Sequence, residues 1–385
     1  KDIKIPEGYD NPIDAFIGEK LKKIELDPSP PADFRTLIKR AYYDLIGLPP
    51  TPYEIYKFRL DWEKDKEKAW NNLITKLLNS PHYGERWGQH WLDVVRYSDT
   101  GGYSNDYERS NAWRYRDYVI RSFNNDKPYN TFVVEQIAGD ELWENSPKGN
   151  KNHEQILATG FLRMGPWDPA MVKVPEARQI YLDDVINSVG QTFLSTTMRC
   201  FKCHDHKSDP LPTRDYYQMY SAFAGTQMAE RTAPFLDNEN LKRFSSEKKQ
   251  LTKLLNFAEK KVEILTNKRE NAAKEWFSSR GLEYISHSKR KNLPDHKKPP
   301  RHAGLNHIEQ GRLKVREQDS WIWERRLERY SPLAQSVYNG EDPSGKLMNA
   351  RKLRMRKLSN DKWKPTSHIY LGGSLNALGD RVEPG

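Results

Sequence analysis

Apolar positions recur every three or four residues over much of the chain, the period of an amphipathic helix rather than the alternation of a strand. Phe34, Leu37, Ile38, Ala41 and Leu45 form the first such run, with Asp33 as its N-cap and Gly47 and Pro49-Pro50 ending it. A second helix is expected after Pro52, with Glu54 in its first turn. A third runs through Trp70, Leu73, Ile74 and Leu77 and stops before Pro81. Trp87, Trp91, Val94 and Val95 then form one apolar face of a helix that carries His90, until Asp99-Thr-Gly-Gly breaks it. Trp113 to Phe123 and Asp183 to Leu194 read as two more helices. Beyond Gly225, Leu251, Leu254, Leu255, Ala258, Val262 and Leu265 mark a long helix dense in Lys and Glu, which reads as an αα-hairpin or short coiled-coil arm. Strand signals are scarce and no internal repeat is present, so the expected fold is mainly α.

This patterning divides the chain into four segments. Residues 1–30, polar and Pro-containing, read as an extended arm. Residues 31–230 form the main helical domain, 231–330 the helical hairpin, and 331–385 a C-terminal piece introduced by Tyr330-Ser-Pro.

Composition changes the picture in two respects. With 11 Trp, 20 Tyr and 13 Phe among 385 residues, the chain is too aromatic to be disordered. The net charge of +10 raises the question of nucleic acid, but the excess is diffuse. Its one dense basic run, His287 to His302, holds three Pro and no aromatic to stack on bases, so it reads as a solvated loop. A diffuse positive surface would speed encounter with an acidic redox partner or polysaccharide. No run of roughly 18 apolar residues occurs, so no membrane span is expected. The chain opens at Lys1 without a signal peptide and reads as a mature or trimmed form.

The only two cysteines fall in Arg199-Cys200-Phe201-Lys202-Cys203-His204. Cys-x-x-Cys-His is the attachment signature of a c-type haem. Two thiols bind the two vinyl groups on one porphyrin edge, and the following His presents its imidazole to the iron. Three alternatives use the same residues: a thioredoxin-like redox pair, a zinc site with His204 and His206, and a structural disulfide. Haem attachment of this kind takes place outside the cytoplasmic membrane, so a periplasmic or extracellular location follows from that reading.

The segment continues as Cys203-His-Asp-His-Lys-Ser-Asp-Pro-Leu-Pro and ends in Phe223-Ala-Gly. It resembles the C-x-x-C-H-D-H-K-x-D-P signature of the domain of unknown function found in planctomycete multidomain cytochromes. Tyr43-Asp-Leu-Ile-Gly-Leu-Pro-Pro, Ser80 to Asp99, Arg116-Asp-Tyr-Val-Ile and Glu135-Gln-Ile-Ala-Gly-Asp resemble that family's other signatures, in order, over about residues 30–230. Ile369-Tyr-Leu-Gly-Gly-Ser-Leu and Arg381-Val-Glu-Pro-Gly resemble the opening of its usual C-terminal partner domain. The resemblance implies an irregular helical c-type cytochrome domain and names no reaction.

With His204 as proximal ligand, the sixth ligand decides the function. His90 is the distal candidate and His82, two turns earlier, the reserve; Met219 and Met228 are weaker candidates, and Met198 lies too near Cys200. His206 is tethered to the proximal side and reads as a support for the turn or a propionate contact. Arg96, Arg114 and Arg116 are candidate propionate partners, because a guanidinium matches a carboxylate in a bidentate fork. Asp99, Asp183 and Asp209 could instead hold Ca²⁺, which takes hard oxygen ligands. Two strong axial ligands predict an electron-transfer subunit serving a redox partner or the separated C-terminal domain. An open site predicts a haem enzyme, oxidising or using peroxide, with His90, Asp99 or Tyr103 near a carbohydrate substrate.

Overall fold

A computed structural model describes residues 5, 8–9, 11–102, 106, 108–147, 149–166, 174–339 and 367–385. Tyr103 lies outside the described residues. Twelve α-helices and four short strands are present among them, a mainly α architecture. The chain forms two compact units, Lys1–Trp87 and Gly88–Gly385, a division that does not follow the four segments read from the pattern.

The first unit holds α1 (Pro12–Lys23), α2 (Phe34–Leu45), α3 (Pro52–Lys64) and α4 (Lys66–Leu78). Asp33 caps α2 as expected, accepting from the backbone N–H of Arg35 and Thr36. Thr51 and Glu54 form a reciprocal capping box on α3. Ile38, Ala41, Tyr42, Phe58, Leu73 and Leu77 make the core between these three helices. The supposed extended arm contains α1 instead, started by the Asn11 cap with Pro12 in its first turn, where a missing N–H costs nothing.

The second unit is built on a larger aromatic core. α5 (Pro81–Val94) crosses the division. Its closely packed face differs from the expected one: Gly88 and Val95 are buried while Val94 and Trp87 are exposed. The absence of a side chain at Gly88 lets Ile120 of α6 (Ala112–Asn124) approach closely. α7 (Tyr129–Asn145) bends at Ala138, and α8 (His153–Ala158) continues as a 3₁₀ turn, Thr159–Arg163. Trp91, Tyr115 and Gln136 meet inside: the indole N–H (3.1 Å) and the Tyr115 hydroxyl (2.6 Å) both donate to Gln136 Oε1. α9 (Val174–Leu194) and α10 (Thr213–Phe223) complete the body.

β1 (Thr226–Thr232) pairs antiparallel with β2 (Leu333–Asn339), so the strands close the base of segment 233–332. That segment carries α11 (Phe244–Ser278) packed along α12 (His307–Glu328), the expected helical hairpin. Arg114 pins the base. Its guanidinium is fully buried and donates to Glu239 (2.7 and 2.9 Å) and to the carbonyls of Ala233, Pro234 and Leu333. β3 (Ser367–Tyr370) and β4 (Leu378–Val382) pair with each other and pack on α10 through Tyr217, Tyr220 and Tyr370.

Candidate functional site

After α9 the chain reverses at Ser195, whose φ is +52°, and the N–H of Thr196 donates back to the carbonyl of Gly190 (3.0 Å). Met198 fills the space that a side chain at Gly190 would need. Cys200–Lys202 then forms a single 3₁₀ turn. Phe201 is driven into the core, 1% exposed and edge-on to Tyr216 at 6.3 Å. Its burial fixes the orientation of the turn and leaves Cys200, Cys203 and His204 exposed, both cysteines as free thiols.

The imidazole of His204 has a defined tautomer. Nδ1 lies 2.8 Å from the carbonyl oxygen of Asp205, and since a carbonyl only accepts, Nδ1 carries the proton. In the neutral ring the lone pair is then on Nε2. The residues that follow build a tight loop. His206 Nδ1 accepts the backbone N–H of Asp209 (3.0 Å), the N–H of His206 donates to Leu211 O (2.9 Å), and Asp205 Oδ1 accepts from Thr213 N (2.7 Å) at the start of α10. An Nδ1 that accepts an N–H is unprotonated, so the 3.3 Å approach of Asp209 Oδ2 to His206 is not an ion pair in this state.

Three elements brace the turn. Asp183 of α9 receives both the ammonium of Lys202 and the hydroxyl of Tyr216, and burial beside that carboxylate raises the Tyr216 hydroxyl well above its ordinary range. The Tyr217 hydroxyl lies 3.0 Å from Lys202 O and 3.1 Å from Tyr370 O, tying the turn to β3. Gly373, at φ +75°, sits so close that an added Cβ would fall 2.8 Å from Cys203 Sγ, while Gln179 Nε2 donates to its carbonyl (3.2 Å). The C-terminal piece thus lines the cysteine turn, a role that its sequence did not reveal.

The remaining candidates disperse. His90 is exposed on α5, one residue before the anchored Trp91, and His82 pairs with Glu85 at 2.7 Å. Met198 and Met228 are buried in the aromatic core and Met219 packs against it. Arg96 grips Asp184 with both nitrogens (2.7 and 3.1 Å), Arg116 pairs with its neighbour Asp117 (2.7 Å), and Arg114 is the buried clamp of the hairpin base. The forks expected for propionates therefore hold protein carboxylates.

Asp99 accepts from the Tyr97 hydroxyl (2.6 Å), Asp183 is neutralised by Lys202, and Asp209 lies beside His206. Among the described residues no group of three or more His, Cys, Asp or Glu side chains is arranged to hold a metal ion. Neither the Ca²⁺ set nor the zinc set with Cys200, Cys203, His204 and His206 is assembled there.

One cluster escaped the pattern altogether. Arg163 donates to Ala229 O (3.0 Å) and Ser336 O (2.9 Å) and faces Glu230 at 3.3 Å, all buried. Burial, opposed by Arg163, pushes Glu230 up to about 7, and burial opposed by Arg231 does the same to Asp140. These residues lie far apart in the sequence, so no local pattern brings them together.

For a c-type haem the donor set present is chemically suitable. Two exposed thiols stand three residues apart on one turn, followed by an exposed imidazole whose Nδ1 faces the carbonyl of Asp205. The molecule is, as a class, a mainly α-helical protein that presents a Cys-x-x-Cys-His turn on an aromatic core. It belongs to the PSCyt2 family, described as a protein of unknown function (DUF1549), whose model matches residues 12–228. No curated protein and no solved structure matches the chain. The matched span takes in α1 and the cysteine turn and ends within β1, before the helical hairpin.

Proposed function

We propose that this chain is an exported c-type cytochrome that holds one haem through Cys200 and Cys203, with His204 as proximal ligand, and serves as an electron-transfer subunit. One observation carries the reading. Burial of Phe201 presents both thiols and the imidazole together at the surface, and the Asp205 carbonyl engages Nδ1, which leaves Nε2 as the nitrogen to bind iron. When bound, haem supplies a one-electron couple whose potential depends on its axial ligands and surroundings.

The chain's own residues contribute rigidity. Lys202, Asp183 and Tyr216 hold the turn against α9 and α10, and Tyr217 holds it against β3. Two of these bonds reach the turn directly, both at Lys202, and the other two join their partners to α10 and β3. His90 is the proposed sixth ligand. The electron partner is a redox protein or the remainder of the C-terminal domain that 367–385 resembles.

The test is expression in a host competent for cytochrome c maturation, followed by a pyridine haemochrome spectrum of the denatured chain and a redox titration of the native one. The reading predicts a c-type spectrum that stays with the polypeptide, a reversible one-electron wave and a low-spin oxidised form. His90→Ala should convert that form to high spin. A chain without haem from such a host would return the cysteines to the disulfide reading.

A further inference from the structure

The basic run that read as a solvated loop does not lie flat on the surface. The segment between α11 and α12 folds back on α11 and borders an open cavity of about 510 Å³. Its lining includes His287, Arg290, Lys298, Arg301 and the Pro299-Pro300 pair. That volume falls within the roughly 300–1,000 Å³ of sites that bind small organic ligands.

The charges around the cavity do not balance. Arg290, 7% exposed, is held rigidly, its Nε donating to Ile285 O (2.6 Å) and its Nη2 to Glu270 (2.7 Å). Glu270 also takes the Tyr284 hydroxyl at 2.7 Å and lies 3.5 Å from Arg269. Lys298 donates to Leu293 O (3.0 Å) and to the highly exposed Asp295 (2.8 Å). Arg301, among the described residues, has no hydrogen-bond or ion-pair partner. The lining thus holds three permanent cations, Arg290, Lys298 and Arg301, and no carboxylate; Glu270 and Asp295 pair with the first two from outside it, and Arg301 is left over. The surplus is felt at His287, whose proton affinity is lowered by burial and then by Arg269, Arg290 and Arg301, with only Glu270 opposing.

We propose that this cavity binds a small molecule bearing a sulfate or phosphate ester. Arg301 and Lys298 supply the charge-assisted hydrogen bonds to the ester oxygens, and Arg290 supplies a preorganised positive wall. Pro299 and Pro300, with φ fixed by their rings, hold the loop open in its binding shape and offer an apolar side to the carbon skeleton. The site is independent of the cysteine turn, and its test does not require haem.

Isothermal titration of the full chain with glucose 6-sulfate, glucose 6-phosphate, inorganic sulfate, inorganic phosphate, glucose and heparin decides the matter. At least one ester should bind ten-fold or more tightly than glucose, and the better of the two identifies sulfate or phosphate as the natural group. Arg301→Ala and Lys298→Ala should each weaken that ester about ten-fold, the effect of losing one charged hydrogen bond. Saturation with the ester should also raise the NMR titration midpoint of His287, because the ligand offsets the surrounding cations. Esters that bind no better than glucose, variants that bind like the parent, or binding confined to heparin would each overturn the proposal.

Discussion

At the scale of single residues, burial and partners decide what charge and thiol chemistry can do. Phe201 shows this most directly: its ring is locked in the core while Cys200, Cys203 and His204 beside it are exposed. The Cys-x-x-Cys-His turn was legible because its spacing alone encodes it. The arginines were not, since a sequence gives a guanidinium its valence but not its partner. Arg114 is the sharpest case, a candidate propionate partner in the sequence that is fully buried on Glu239. Arg114→Ala leaves that carboxylate unpaired in the interior and should cost about 3–5 kcal/mol in urea unfolding. A loss below about 1 kcal/mol, the usual size of a surface pair, would contradict the clamp.

Glu230 makes a second prediction at this scale. Its carboxyl is raised from 4.5 to about 7, so in that interval the folded chain keeps a proton that the unfolded chain has released. The stabilisation is therefore present in full below the unfolded value and is lost as pH rises through about 7. Glu230→Gln should reduce the fall in urea midpoint between about pH 5 and pH 8, leaving the share of Asp140, which titrates in the same window. A variant as steep as the parent would show that Glu230 does not hold the proton.

A strong apolar period made several helices legible, although α10, with Tyr216, Tyr217 and Tyr220 on its buried face, went unread. α2 follows from spacing and its cap, α3 and α4 from spacing and the prolines beside them, and α11 from spacing alone. β1 could not be found this way. Thr226-Gln-Met-Ala-Glu-Arg-Thr is polar, yet all but its last residue is buried. Arg231 pairs with Glu144 (2.8 Å) and Val337 O (3.1 Å), and Glu230 faces Arg163, so ion pairs and carbonyls made by distant segments permit the burial. α1 was hidden for another reason: its neighbouring prolines suggested extended chain, although Pro12 occupies the one helical position that favours it.

The helical hairpin has its own weak point. Gly304, at φ +72°, lies where an added Cβ would come within 2.5 Å of Ala272 on α11. Gly304→Ala should therefore cost about 1–3 kcal/mol by overpacking. Hydrogen exchange should speed up in the loop after α11 and in the first turns of α12 while β1 and β2 stay protected. Equal loss of protection in the strands would mean that the hairpin and its base unfold as one.

At the scale of the whole molecule, contacts between residues far apart in the chain join pieces that the pattern reads separately. β2 pairs with β1 across the entire hairpin, and β3 with β4 reaches back to the cysteine turn through Tyr370 and Gly373. Gly373→Ala combines a left-handed backbone with a contact on Cys203 and should displace the Leu371–Gly373 turn. Alkylation of Cys203 in the haem-free chain should then be faster than in the parent, whereas an unchanged rate would show that the C-terminal turn does not cover the thiol.

The account rests on covalent haem at that turn, and the most direct measurement is the intact mass of the denatured chain made in a host competent for cytochrome c maturation. The parent should carry the added mass of one haem, and the double variant Cys200→Ser/Cys203→Ser should carry none. A parent at the mass of the bare polypeptide, or a double variant that retains the addition, would contradict it.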